Sequence, residues 1–380
     1  MELREGIATK SPWLNLVIGQ DSLWARLLPS IQYRQFPHLC LLSARPGNCQ
    51  LPLAISIAQA LLCESNDAPC GSCSNCHQVN GLVHPDLHFS FPLLKAKEIC
   101  QDHYPRWRKA LTQMPYMGIA DWFSCFEEES KNANIPVSEV QNIIELLQLK
   151  PFVSGNKVLV LWLPEYLGKE SNRLLKLFEE PPEKTYIILV TEQPAALLPT
   201  VKSRALHFHL NAIPVEVAAN KLAELHDLDY SLIYSALISS ESNLQEAIDL
   251  VNNKRENLVM LLQQLLKSCY QYQASEMVSW VENFCKGNRE DQKFYLIWMQ
   301  RVFSFVLRNK YTGKLDDANP SSDLIQYSKK LSQSLSLEQI EEINKKLDDG
   351  LFALQRNANV KIFMTDFAIQ LSSILRNKLN

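Results

Sequence analysis

The sequence has little net charge, no long apolar run and no internal repeat, and each absence removes a class of protein. With 38 basic against 41 acidic residues, the formal net charge of −3 supplies no overall field to draw the chain onto a phosphate backbone. A stand-alone nucleic-acid binder is therefore disfavoured, and any DNA contact has to be local or shared with partners. The most apolar stretch, Phe294 to Leu307, is interrupted by Gln300 and Arg301 and is shorter than the roughly 20 residues that cross a bilayer, so no membrane contact is expected. Met1 to Lys10 mixes Glu2, Arg4, Glu5 and Lys10 and has no apolar core followed by small residues. No secretory signal is visible, and the cytoplasm is the expected compartment.

What is present fits an ordinary globular chain: 380 residues, 46% apolar and 21% charged, enough for two or three domains with their own cores. The first half alternates short apolar runs with helical patterns, as an α/β domain with a parallel sheet should. Buried strands are expected at His38 to Leu42, Val158 to Leu163 and Tyr186 to Val190. Leu206 to Leu210 alternates like a strand with one wet face, on which His207 and His209 fall. Val140, Ile143, Ile144 and Leu147 mark a helix, and Ser138 with Gln141 reads as its capping box after Pro136. A second helical pattern, Leu167 through Phe178, stops at Pro181-Pro182. Beyond about residue 212 strand-like runs vanish and patterns such as Leu258, Leu261, Leu262, Leu265 and Leu266 take over. The expected domains are 1–211, 212–255 and 256–380, the last boundary resting on the break at Asn252-Asn253-Lys254.

Four of the ten cysteines, Cys63, Cys70, Cys73 and Cys76, are spaced C-x6-C-x2-C-x2-C, with Gly71 and Ser72 permitting tight turns. In a chain without a secretory signal such crowding points to metal rather than to disulfides. Four thiolates satisfy tetrahedral zinc and leave no position for water, so the expected role is structural. His77, His84 and His88 lie nearby, but the four cysteines already suffice. Cys40, Cys49, Cys100, Cys125, Cys269 and Cys285 lack such spacing and read as ordinary core or surface residues.

A series of local motifs then falls in one order. Ile18-Gly19-Gln20 and Pro37-His38 precede Leu41-Leu42-Ser43-Ala44-Arg45-Pro46-Gly47-Asn48-Cys49-Gln50-Leu51; Lys157 to Leu163 is followed by Glu179-Glu180-Pro181-Pro182, Thr191, Pro194 and Ser203-Arg204. In this order the chain resembles, over most of its length, the clamp-loader branch of the AAA+ ATPases. The resemblance implies an AAA+ P-loop-type parallel-sheet domain (1–211) carrying the zinc lobe, then a small helical lid (212–255) and an all-helical collar (256–380).

The motifs that do chemistry in that family are altered here. A working phosphate loop needs glycines to wrap the phosphates, a lysine for their charge and a hydroxyl for Mg²⁺. This chain offers Gly47, then Cys49, Gln50 and Leu51, with Pro52 in the helix behind, so no ATP is expected to bind. The acidic pair that would hold the Mg²⁺ shell and activate water is replaced by Trp162-Leu163, and Glu165, beyond Pro164, reads as a solvated loop carboxylate. Gln245 stands where the family places an arginine that senses nucleotide.

Ser203-Arg204 occupies the position where the resemblance implies an arginine finger, Arg204 reaching a neighbour's ATP site with Ser203 in support; Ala205 departs from the family's cysteine. Gln355 to Lys361, ahead of an apolar helix, resembles the start of a collar helix. The implied role is a non-hydrolysing scaffold among gamma/tau-type ATPase subunits and a clamp-opening delta subunit, acting on a sliding clamp and primed DNA. The rival reading is a zinc-containing DNA-binding or adaptor protein on an inactive AAA+ fold. Between His88 and Asn134 lie Tyr104, Trp107, Tyr116, Trp122, Phe123 and Phe126, read as an elaborated loop packed on the zinc lobe; base stacking by them is opposed by Glu127-Glu128-Glu129.

Overall fold

The computed structural model describes residues 11–95, 97–126, 133–153, 155–254, 258–286, 289–312, 322–355 and 359–376. They fall into two compact units, residues 1–214 and 215–380. The expected boundary at 255/256, the acidic triplet at 127–129 and the middle of the 355–361 motif lie outside the described residues.

The first unit is built on five parallel strands: β1 (Leu39–Ser43), β2 (Leu87–Ser90), β3 (Lys157–Trp162), β4 (Thr185–Thr191) and β5 (Leu206–His209). Their order across the sheet is β2-β3-β4-β1-β5. Parallel neighbours need crossovers, and helices supply them. α1 (Asp21–Gln32) precedes β1; α2 (Gln50–Leu62) and α3 (Ser74–Asn80) lead to β2; α4 (Tyr104–Gln113), α5 (Ile119–Ser124) and α6 (Val137–Gln148) lead to β3; α7 (Ser171–Glu179) leads to β4 and α8 (Pro199–Lys202) to β5.

Every residue of β1 and β3 is buried, which is why these strands read as unbroken apolar runs rather than alternating ones. On one face Leu39, Leu41, Leu159, Leu161, Ile187 and Leu189 pack with Val140, Ile143 and Leu147 of α6 and Leu174, Leu177 and Phe178 of α7. α2 is buried on all sides along its whole length, the pattern of a helix enclosed by a core rather than laid upon it.

One local reading is corrected and another refined. Ser138 does not cap α6, whose N-cap is Pro136; its hydroxyl instead donates to the Glu98 carbonyl at 2.8 Å, bridging to another segment. The apolar face of β5 is buried only toward its end, with Leu206 52% and Leu210 2% exposed, and His207 Nε2 and His209 Nδ1 on the wetter face both converge on Ser43 Oγ, at 2.6 and 3.0 Å. The histidines thus tie the edge strand to the end of β1.

The second unit is helical among its described residues: α9 (Val215–His226), α10 (Tyr230–Ser239), α11 (Leu244–Lys254), α12 (Leu258–Gln271), α13 (Ala274–Cys285), α14 (Arg289–Thr312), α15 (Ser322–Ser334), α16 (Leu337–Gln355) and α17 (Val360–Arg376). α10 packs on α14, so helices from either side of residue 255 share one core. Asn359 Oδ1 caps α17 through the amides of Lys361 and Ile362. No described helix is long and apolar enough to cross a membrane.

Candidate functional site

In parallel α/β sheets chemistry gathers at the carboxyl ends of the strands. After β1 the chain turns through Gly47, whose φ of +69° a glycine adopts without strain, and enters α2. The loop is closed on itself. Asn48 Oδ1 accepts from the Cys49 amide at 2.6 Å, and the buried Cys49 thiol lies 3.6 Å from the Ile18 carbonyl, its pKa raised by burial to about 12. Gln50 and Leu51 are only 3% and 2% exposed. An amide that a phosphate loop would offer is taken by a side chain, and the helix opens on the uncharged Gln50 and Leu51.

At the end of β3, Trp162 is 1% exposed and anchors an aromatic cluster. Its ring lies 5.2 Å from Trp107, which stacks on Phe91 at 4.1 Å and meets Trp122 edge-on at 5.1 Å. Trp122 Nε1 donates to the Pro92 carbonyl and Tyr116 Oη to that of Leu16. The Tyr104 hydroxyl both accepts from the Phe89 amide and donates to its carbonyl, pairing backbone groups of β2, an edge strand of the sheet. The described part of the 88–134 segment is therefore seated on the sheet edge and on Trp162. Trp107, Tyr116 and Trp122 are at most 1% exposed, which removes them from base stacking. The resemblance implied an acid at Trp162; it gave no sign that this ring packs on the insertion.

Leu163, just after β3, lies in the left-handed region, φ +56°, and turns the chain out of the sheet. Glu165 then folds back. Its carboxylate accepts from Thr191 Oγ1 at 2.7 Å and from the Glu192 amide at 3.2 Å, so it pins the turn after β4 and is not the solvated loop carboxylate expected. Burial, with the nearby Glu165 and Asp121 charges, raises Glu192 to about 7. Gln245 is buried in the second unit and donates to Asp249 at 3.1 Å.

The four cysteines meet. Their sulfurs lie within 4.8 Å of one another, with Cys63 to Cys73 at 4.0 Å and Cys70 to Cys76 at 3.9 Å. Zn–S bonds of about 2.3 Å in a tetrahedron place sulfurs about 3.8 Å apart, so the cluster fits a metal of that size and geometry. Backbone amides of Ser65 and Cys70 donate to Cys63, that of Cys73 to Cys70 and that of Cys76 to Cys73, each at 3.4 Å; such bonds favour the thiolate form that metal binding needs. The hydrogen bond shared with Cys76 pulls Cys63 down to about 5 and pushes Cys76 up. Cys63 caps the end of α2 and Cys73 the start of α3. Asn75 and Asn156 donate to the Leu62 and Leu61 carbonyls that end α2, and Gln59 of α2 donates to the Cys76 carbonyl. Among the described residues no histidine joins the cluster.

Ser203 and Arg204 follow α8, where buried Val201 and the packed Ala205 fix the backbone against the core. Ala205 is partly buried against that core. Arg204 is not free. Nε donates to Glu179 Oε1 at 2.5 Å and Nη2 pairs with the same oxygen, while Nη1 donates to the Thr200 carbonyl at 2.8 Å and reaches Ser203 Oγ at 3.4 Å. Glu179 ends α7, whose last turn is held where His38 Nε2 meets the Phe178 carbonyl at 3.2 Å. Sequence placed Glu179 in a motif but gave no sign of this pairing across 25 residues.

Residues 19–214 match the model of a family described as DNA polymerase III, delta subunit. The chain is 28% identical over 208 residues to DNA polymerase III subunit delta' of Yersinia pestis, covering 52% of this chain and 47% of that protein. It is 24% identical over 244 residues to subunit delta' of Bacillus subtilis, covering 63% and 62%. To subunit tau of Escherichia coli it is 25% identical over 212 residues, 55% of this chain and 27% of tau. The chain thus spans about half to three fifths of the length of the two delta' relatives.

Proposed function

The chain belongs to the DNA polymerase III delta-subunit family, and from that premise we propose that it is a non-hydrolysing, delta'-type subunit of a clamp loader. Its expected neighbours are gamma/tau-type ATPase subunits and a clamp-opening delta subunit, and it meets the sliding clamp and primed DNA through that assembly. It serves as a scaffold and presents Arg204 to the ATP site of the adjoining subunit, with Ser203 supporting the turn. A permanently charged guanidinium suits that task, because it can meet charge developing on a γ-phosphate without any proton transfer. Zinc on Cys63, Cys70, Cys73 and Cys76 completes the first unit and takes no part in chemistry.

The observation that carries the reading is Trp162. A ring packed on Trp107 occupies the end of β3, where a hydrolysing site needs a carboxylate, and a buried aromatic neither holds Mg²⁺ nor activates water. The closed loop at Asn48 and Cys49 supports the same conclusion independently. Purified alone, the chain is expected neither to bind nor to turn over ATP.

The test is reconstitution with the gamma/tau-type and delta subunits of the same organism, comparing the parent with Arg204→Ala. Assembly is expected to survive, because Arg204 is a partly exposed side chain outside the core. Hydrolysis at the site it faces is expected to fall, by up to the roughly 10³-fold or more that such a finger supplies. Unchanged hydrolysis in a fully assembled Arg204→Ala complex refutes the finger.

A further inference from the structure

We propose that Glu179 is a positioning residue that holds Arg204 back until a neighbour's polyphosphate displaces it. The inference rests on the reading of Arg204 as a finger and deepens it. In this chain the guanidinium is engaged on both edges: Nε and Nη2 on the Glu179 carboxylate, Nη1 on the Thr200 carbonyl and Ser203 Oγ. The Nε/Nη2 edge is one a guanidinium uses to grip a carboxylate or a phosphate two-handed. Glu179 and a phosphate are therefore competitors for one set of donors.

Two features mark Glu179 as more than a casual surface partner, and a third fixes its arginine. It sits at the last position of α7, where the helix dipole disfavours a carboxylate and the like-charged Glu180 follows, so with Lys176 of the same turn the Arg204 cation helps to balance it. Its backbone is fixed by the Glu180 amide donating to the Lys176 carbonyl, by His38 at the Phe178 carbonyl and by Pro181-Pro182, so the carboxylate is presented from a rigid end. Arg204 is likewise held from below through Val201 and Ala205.

The strength of the hold suits a displaceable contact. The two side chains remain 32% and 46% exposed, and exposed ion pairs contribute little. A nucleotide triphosphate carries several times the charge of one carboxylate and wins such an exchange, whereas water alone does not. Arg204 would thus reach outward only when a phosphate-loaded neighbour is docked against it.

The experiment uses the reconstituted complex with ATP, measuring hydrolysis without clamp or DNA. Glu179→Ala is expected to raise this basal rate, by up to about fivefold, equivalent to the ~1 kcal/mol that an exposed pair is worth. Glu179→Gln, which keeps an acceptor and loses the charge, is expected to fall between parent and Glu179→Ala. Raised salt should shrink the difference, because it screens the pair but not a steric effect. The double variant Glu179→Ala/Arg204→Ala should match Arg204→Ala alone, so that the gain depends on the freed arginine. A basal rate in Glu179→Ala equal to or below that of the parent overturns the proposal, as does a gain that survives loss of Arg204. If Arg204→Ala itself leaves hydrolysis unchanged, it is the finger reading that fails. Equal melting curves for Glu179→Gln and the parent separate these outcomes from misfolding.

Discussion

Placing an acid at the end of β3 should damage the protein rather than confer hydrolysis. Trp162→Asp removes an indole that is 1% exposed and contacts Trp107 at 5.2 Å. Truncating such a fully packed aromatic costs about 3–5 kcal/mol, from lost transfer energy and the cavity left behind. The new carboxylate would be buried beside Trp107, where an unpaired charge adds several kcal/mol more or forces the acid to stay protonated. Set against a typical domain stability of about 5–15 kcal/mol, the sum removes most of it. Trp162→Phe keeps an apolar ring and should cost less than half as much. Urea unfolding of the parent and both variants, followed by far-UV circular dichroism and by the near-UV signal of the tryptophans, reads the difference. With two compact units the comparison belongs to the transition that carries the near-UV loss. A Trp162→Asp protein that unfolds within about 1 kcal/mol of the parent, or that binds Mg-ATP, would show that the ring is not what occupies the site.

Other consequences can be measured separately. Metal analysis of the native protein prepared without chelator should find about one zinc per chain, and Cys73→Ser should lower both the metal content and the melting temperature of the first unit. Glu192, raised by burial to about 7 from an ordinary 4.5, is protonated in the folded chain where the unfolded chain has already ionised. Stability should therefore fall as pH climbs from about 4.5 to about 7, by at most ~3 kcal/mol, and Glu192→Gln should flatten that slope in urea titrations. Gly19 has φ +66° and an added Cβ would meet Ile213 at 3.1 Å, so Gly19→Ala should cost about 1–3 kcal/mol in the same assay.

The strands were legible because burial on both faces leaves unbroken apolar runs, as in Leu39 to Ser43 and Lys157 to Trp162. The cysteine cluster was legible because its spacing is local. What sequence could not show is which distant group answers a local one. Ser138 looked like a cap because the pattern around it fits, yet its hydroxyl goes to Glu98. Glu165 looked solvated because it follows a proline, yet Thr191, from the next strand, holds it. Trp162 stood where the resemblance implies an acid, but its ring partner Trp107 lies on α4, 55 residues earlier in the chain, and only the fold brings the two together. Glu179 and Arg204 each stood in a recognised motif, and neither motif announces the other.

The caps at the end of α2 have a further consequence. Asn75 and Asn156 close the Leu62 and Leu61 carbonyls, and Cys63, a member of the sulfur cluster, is the next residue of the chain. The helix so terminated is the one enclosed on every side by the first unit. An ion held by the sulfurs at a thousandfold over its dissociation constant adds about 4 kcal/mol to folding. For a cluster so loaded, metal supply becomes a variable of the fold itself, and chelation is expected to loosen α2 at its Cys63 end, read as a lower melting temperature of the first unit.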